Sequence, residues 1–121
     1  MLKLQGMSVL VQSEWGMFWM LLVGHAVSDY PLQGDFLARG KNHTAPLPGV
    51  PWYQCLVWHA MIHSGAVVLV TGSLVLGVAE FVVHVLIDYG KCDGWFGFNV
   101  DQLLHVLCKA LWVLMLKMAM A

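Results

Sequence analysis

Four long apolar stretches alternate with shorter polar segments along the chain. They run over about residues 9–30, 52–71, 73–89 and 100–119, and the first of them has two alternative starts, Val9 and Trp15. Each stretch approaches the ~17–25 residues that a helix needs to cross a bilayer. Segments such as GAVVLVTGSLVLGVA have no polar face, which a helix of a soluble bundle would need. The pattern therefore predicts an all-α protein, a multi-pass membrane four-helix up-down bundle.

The segments between these stretches are typical of connections. Residues 31–51 are rich in Pro and Gly and predict a loop, with a short helix over Gln33–Arg39 as an alternative. His43 lies in this loop and is predicted to be solvated. Gly72 and Ser73 indicate a tight connection between the second and third helices. The 121 residues are thus predicted to form a single transmembrane domain.

The composition supports a membrane protein and excludes two other classes. Hydrophobic residues make up 60% of the chain and the mean hydropathy is +0.72, whereas a soluble domain is roughly 45–50% apolar. The net charge of −1 leaves no basic surface for nucleic acid, and the apolar content excludes a disordered chain. The three cysteines have no paired spacing, so we interpret them as apolar side chains and not as a disulfide framework.

Five of the six histidines lie inside the apolar stretches, and each has a His or an Asp four residues away. This spacing puts both side chains on one helix face, one turn apart. The pairs, one on each predicted helix, are His25/Asp29, His59/His63, His84/Asp88 and Asp101/His105. Because the first and third helices end near their pairs and the other two begin near theirs, an up-down bundle brings all four to one side of the membrane. The sequence predicts one shared site that is open to water at its mouth.

These polar side chains favour a metal site. A charged group at mid-bilayer costs roughly 2.5–3.5 kcal/mol and usually marks function. Imidazoles with carboxylates suit a divalent metal ion, with zinc as the first choice and manganese or iron as alternatives. The predicted ligands are His25, His59, His63, His84, Asp88 and His105. Asp29, Asp101 and Glu80 are the candidate catalytic residues, as carboxylates that orient a ligand or accept a proton. The alternative is a set of interhelical hydrogen bonds that only holds the bundle together.

The pattern continues one turn deeper on two helices. The four-residue spacing extends to Glu80 on the third helix and to Lys109 on the fourth. Since these helices are predicted to be antiparallel, the two residues should form a buried ion pair beneath the site, and breaking such a pair costs roughly 3–5 kcal/mol. We also expect Glu80 to reach a site histidine.

Four blocks of the sequence carry these residues in order: GHAVSDYPLQ, HAMIHS, HVLIDYGK and DQLLH. Together they resemble a family of small phage and bacterial inner-membrane proteins of unknown function, over nearly the whole chain. The resemblance implies a bacterial inner-membrane location and marks His25, Asp29, Gln33, His59, His63, His84, Asp88, Asp101, Gln102 and His105. The pattern HxxxHS followed by HxxxD is also similar, though more loosely, to that of membrane-bound metal-dependent hydrolases. His59, His63 and Ser64 match the first element, and His84 and Asp88 match the second.

Three hypotheses for the function follow. The first is a metal-dependent hydrolase that acts on a lipid or lipid-linked ester or phosphate at the bilayer surface. The second is a non-enzymatic phage-encoded protein that acts on a host partner in exclusion, lysis or regulation. The third is a haem-binding bundle, against which the neighbouring carboxylates argue, and transport of protons or metal ions is a further alternative. In each case the lipid bilayer is a partner, nucleic acid is not, and a homo-oligomer is left open.

Overall fold

Five α-helices make up residues 13–120, the part of the chain that the structure, a computed structural model, describes. Within this range there are no strands, so the all-α prediction is confirmed. The helices are α1 (Glu14–Asp29), α2 (Gly34–Gly40), α3 (Trp52–Thr71), α4 (Leu74–Cys92) and α5 (Phe98–Met120).

Local signals in the sequence set the ends of the helices. Ser13 caps α1, because its hydroxyl accepts a hydrogen bond from the backbone N–H of Gly16 at 2.9 Å. Gly72 ends α3 in the left-handed conformation, at φ 69°, which glycine adopts without steric cost. Ser73 then caps α4 through the backbone N–H of Leu76. The predicted tight connection at Gly72 and Ser73 is therefore confirmed.

Several boundaries differ from the predicted ones. The segment 31–51 is not a continuous loop but contains the short helix expected as an alternative over Gln33–Arg39: α2 occupies Gly34–Gly40 and packs its last glycine against Cys55 of α3. The third apolar stretch was expected to end at residue 89, but α4 continues to Cys92, and α5 begins at Phe98 instead of residue 100. Val9 lies outside the described residues, within which the first helix begins at Glu14.

The four long helices pack side by side, each antiparallel to its neighbours. α1 and α4 each contact both α3 and α5. A β-carbon on Gly24 would lie 3.3 Å from that of Ala66, so α1 approaches α3 closely. Gly77 of α4 packs directly on α3, where the Ser64 hydroxyl donates to its carbonyl oxygen at 2.7 Å. Small residues at these crossings let the backbones come close enough for the interior side chains to meet.

The interior of the bundle is divided along its length. A hydrophobic cluster of Leu21, Val67, Leu76 and Trp112 fills the half nearer the start of α1 and the end of α5. Most of the buried side chains in the other half are polar, although Cys55, Leu56 and Ala60 of α3 are also buried there. Two helices, α3 and residues 98–119 of α5, are long and apolar enough to cross a membrane. The 16 residues of α1 extend about 24 Å, which is less than the ~30 Å of a hydrocarbon core.

Candidate metal centre

Asp29, at the end of α1, lies among histidines from α1 and α3. Its Oδ1 atom is 2.9 Å from Nε2 of His63 and 3.3 Å from Nε2 of His59. Its Oδ2 atom is 3.2 Å from Nε2 of His25 and accepts a hydrogen bond from Gln102 of α5, also at 3.2 Å. Antiparallel packing places the end of α1 beside the start of α3, so the two i, i+4 pairs face each other.

Asp88, near the end of α4, is the second carboxylate at the centre of the cluster. Its Oδ1 atom is 3.1 Å from Nε2 of His105, and its Oδ2 atom is 3.3 Å from Nε2 of His84 and 3.4 Å from Nε2 of His59. Lys41 donates a hydrogen bond to the same Oδ2 atom at 2.8 Å. Because His59 contacts the carboxylates of both α1 and α4, the cluster is continuous across the bundle.

The five imidazole rings form a single layer. His63 stacks on His84 with ring centroids 3.9 Å apart, and His84 lies 4.4 Å from His105. His59 and His25 pack against His63 at 4.7 and 5.0 Å. Each of the five residues is at most 7% exposed. The histidines therefore face the interior of the bundle, where their nitrogens meet carboxylates and not solvent.

Three groups of side chains in this layer have potential ligand atoms within 4.8 Å of one another. The groups are Asp29, His59, His63 and His84, then Glu80, His84 and His105, then Asp88, Asp101 and His105. In a tetrahedral zinc site with bonds of about 2.1 Å, the ligand atoms are about 3.4 Å apart. The 3.3 Å between Asp29 and His59 is close to that value, whereas the 2.9 Å between Asp29 and His63 is the length of a hydrogen bond. Imidazoles and carboxylates are the residue types that bind zinc, so this group could hold such an ion.

His84 has the hydrogen bonding of a metal ligand. Its Nδ1 atom lies 3.3 Å from Oε1 of Glu80, so we assign the proton to Nδ1 as donor, which leaves a lone pair on Nε2. That Nε2 atom is buried and lies 3.3 Å from Oδ2 of Asp88, but it makes no hydrogen bond among the described residues. Within residues 13–120, neither ring nitrogen of His59 makes a hydrogen bond, although Nε2 lies 3.3 Å from Asp29 and 3.4 Å from Asp88. A buried polar atom without a hydrogen bond costs about 1–3 kcal/mol, and a bound cation would offset this cost.

A second polar layer lies one turn below the histidines. Glu80 accepts hydrogen bonds from Nζ of Lys109 at Oε1 and from Nε1 of Trp112 at Oε2, both at 2.6 Å. Glu80 and Lys109 are each only 1% exposed. The predicted ion pair is confirmed, and so is the contact of Glu80 with a site histidine, His84. Since both of its oxygens already accept hydrogen bonds, Glu80 is better suited to orienting His84 than to accepting a proton.

The segment between α2 and α3 covers the mouth of the cluster. Lys41, which binds Asp88, is 7% exposed. The ring of His43 stacks on Tyr89 with centroids 3.9 Å apart, and its Nε2 atom donates to Oδ1 of Asp93 at 2.9 Å. The His43 side chain is only 13% exposed, so the prediction that it is solvated is wrong. The hydrogen bonds from His43 and from Trp95 hold the pKa of Asp93 below its usual range.

The predicted site residues lie together, in the histidine layer or directly below it. His25, a predicted ligand, belongs to none of the three ligand groups found among the described residues, whereas Asp29, Asp101 and Glu80, predicted as catalytic carboxylates, each belong to one. Two contributors were not predicted. Lys41 enters from a connecting segment, and no local pattern relates it to Asp88. Trp112 follows Lys109 by three residues on the same face of α5, so continuing the helical spacing by one more turn would have found it. Gln102, which bridges Asp29 and Asp101, was marked only by the family resemblance.

Comparison with known proteins places the chain in one family, for which no function is described. Residues 17–121 match the DUF3307 family, which is described as a protein family of unknown function. This match agrees with the resemblance of the sequence blocks to a family of unknown function. No curated protein and no solved structure matches the chain significantly.

Proposed function

The chain belongs to the DUF3307 family, and from its site we propose that it is a membrane protein that binds a divalent metal ion and hydrolyses a lipid or lipid-linked ester or phosphate at the bilayer surface. The observation that carries the proposal is the set of Asp29, which is largely buried, and the fully buried His59, His63 and His84. Two of these histidines have ring nitrogens that make no hydrogen bond in the described chain. The proposed metal is zinc, because three imidazoles and a carboxylate are typical ligands of that ion.

The distribution of polar and apolar side chains supports a membrane location. Among the described residues, eleven polar or charged side chains are buried, against seven hydrophobic ones. Large apolar side chains face outward instead, such as Trp15 at 82%, Leu69 at 76% and Val75 at 75% exposed. Contiguous exposed apolar surface of this kind suits lipid and not water. We propose that the four long helices form a multi-pass bundle in the bacterial inner membrane.

The chain offers distinct groups for the separate tasks of hydrolysis. A cation in the first ligand group would supply Lewis-acid polarisation and lower the pKa of a water molecule. Within that group, Asp29 directs its Oδ1 atom toward His63 and directs its Oδ2 atom toward His25, outside the group. The Nδ1 atom of His25 is buried and has no hydrogen-bond partner in the part of the chain described. The pair of Asp29 and His25 is therefore arranged to hold a proton taken up beside the metal ligands.

The surroundings of the site favour a substrate with an anionic head and an apolar tail. Lys41 is buried against Asp88 at the mouth, where its charge offsets part of the negative charge of the site and so would reduce the repulsion of an anionic head group. An apolar groove between α1 and α3 begins at Ser28 and Leu32, beside Asp29, and continues to Leu69 and Val70. We assign this groove to an acyl chain, because it leads from the level of the site along the outer face of the bundle.

The proposal is tested by metal content together with lipid turnover. Protein purified in detergent without a chelator should contain at least one zinc ion per chain. It should convert lipids in vesicles of bacterial phosphatidylglycerol and phosphatidylethanolamine, as followed by mass spectrometry. His59→Ala and the chelated wild type should release no product, whereas His43→Gln, which changes a histidine outside the ligand groups, should remain active.

The two measurements separate the alternatives. Stoichiometric zinc without turnover of any lipid would reject the hydrolase and favour a non-enzymatic membrane protein whose metal is structural. Absence of bound metal in folded protein would reject the metal site as well. The cluster would then be a hydrogen-bonded core.

A further inference from the structure

We propose that the cluster holds a second divalent cation, at Asp88, Asp101 and His105, beside the ion of the first ligand group. This inference rests on the proposed metal-binding function and extends it to a two-metal centre. The ligand atoms of the three residues lie within 4.8 Å of one another. None of the three residues is a member of the first group, which contains Asp29 and the histidines of α3. All three are buried, at 3%, 3% and 1% exposed.

The ligand atoms of this second group lie close together, and one of them makes no hydrogen bond in the described chain. Nε2 of His105 is 3.1 Å from Oδ1 of Asp88 and 3.5 Å from Oδ1 of Asp101. The other oxygen of Asp101 accepts a hydrogen bond from Gln102 at 3.0 Å. Its Oδ1 atom is buried and, apart from the 3.5 Å contact with His105, which is too long for a hydrogen bond of good geometry, makes no hydrogen bond in residues 13–120. A buried carboxylate oxygen that makes no hydrogen bond and lies beside a second carboxylate indicates a cation ligand.

The two groups are adjacent but differ in chemistry. His59 lies 3.3 Å from Asp29 and 3.4 Å from Asp88, so it connects the groups. The first group has three imidazoles, which suit zinc. The second has two carboxylates and one imidazole, which suit a harder ion such as Mn²⁺. Ions that act together in hydrolases are about 3.5–4 Å apart, and groups in direct contact allow such a separation.

Charge sets the order in which the ions bind. Glu80 is neutralised by Lys109, so the histidine layer contains the three carboxylates of Asp29, Asp88 and Asp101 and the one ammonium group of Lys41. With neutral imidazoles this leaves two negative charges, which one divalent ion balances. The second ion adds an excess of positive charge near Lys41 and should bind more weakly. Lys41 binds Oδ2 of Asp88, whereas His105 of the second group faces Oδ1 of the same carboxylate. Lys41 therefore repels the second ion through its charge but does not block the ligand atoms of that ion.

The test uses the whole protein in detergent, stripped with a chelator and loaded with one equivalent of Zn²⁺. Mn²⁺ is then titrated, with free Mn²⁺ measured by its electron paramagnetic resonance signal and bound zinc by elemental analysis. The wild type should bind one further Mn²⁺ per chain and retain its zinc. Asp101→Asn should lose the Mn²⁺ and keep the zinc, whereas His63→Gln should lose the zinc. Lys41→Met should bind Mn²⁺ more tightly, by about tenfold or more.

Each result decides between one ion and two. If the wild type takes up no Mn²⁺, or if zinc and manganese always sum to one ion per chain, the second site is rejected while the proposed metal function stands. Unchanged Mn²⁺ binding in Asp101→Asn would reject this ligand set. Absence of zinc binding in folded wild type would instead reject the proposed function itself. Circular dichroism of each variant shows whether the helices are retained, so that loss of metal is not confused with loss of fold.

Discussion

Two buried polar layers lie one above the other: the histidine layer, and beneath it the layer of Glu80, Lys109 and Trp112. They differ in how fully the protein satisfies their hydrogen-bonding groups. In the lower layer each Glu80 oxygen accepts a hydrogen bond of 2.6 Å. In the histidine layer most contacts between imidazoles and carboxylates are 3.1–3.5 Å. Several buried atoms there have no hydrogen-bond partner within the described chain, among them both ring nitrogens of His59.

This difference separates a structural layer from a binding layer. A buried ion pair is stable when its remaining hydrogen-bonding positions are filled by the protein, as around Glu80. A polar cluster with unfilled positions is costly unless a ligand supplies the missing contacts. The lower layer therefore needs nothing from outside the chain. The histidine layer has the composition and the unfilled positions that a metal ion would complete.

The largest expected effect comes from breaking the lower layer. Lys109→Met should destabilise the protein by about 3–5 kcal/mol, because it leaves the Glu80 carboxylate buried without its countercharge. Glu80→Gln combined with Lys109→Met should be milder than Lys109→Met alone, since no unpaired charge remains. Unfolding followed by circular dichroism in detergent gives the free energies for a double-mutant cycle. Additive effects of the two substitutions would show that the pair is not coupled.

A smaller effect is expected from completing the histidine layer. Zinc at a free concentration of 100 times its dissociation constant should raise the free energy of unfolding by about 2.7 kcal/mol. His63→Gln should abolish this increase, because it removes one of the four ligands of the first group. His43→Gln is the matched control and should keep the response to zinc. Stabilisation of the His63 variant to the same extent as the wild type would place the ion elsewhere.

The smallest effect concerns the mouth, where His43 and Asp93 join two connecting segments. Because the folded-state pKa of Asp93 is lowered, its contribution to stability is present above the unfolded-state pKa and is lost as the pH falls through the folded-state pKa. Asp93→Asn should therefore lower the unfolding temperature slightly at pH 7 and have no effect at a pH below the folded-state pKa. An equal effect at both pH values would show that the charge of Asp93 is not responsible.

Much of the fold could be predicted, because the deciding signals are local. The apolar stretches gave the approximate positions of α3, α4 and α5, and Gly72 with Ser73 marked the turn between two of them. The ends were less accurate: α4 continues three residues beyond the expected end, to Cys92. Helix ends depend on caps and on packing against neighbours, which the hydropathy pattern does not contain. The four-residue spacing identified Glu80 and Lys109, since a helix brings such residues to one face.

The sequence alone determined which residues share a helix face and at what depth, because the period of the α-helix fixes both. It therefore placed the His and Asp pairs on one level and Glu80 opposite Lys109. Only the tertiary structure decided which nitrogen faces which oxygen, since this depends on helix rotation and on the close approaches at Gly24 and Gly77. It also brought in Lys41, whose contact with Asp88 joins residues 47 positions apart. A contact of that kind is set by the path of a connecting segment, for which no periodic signal exists.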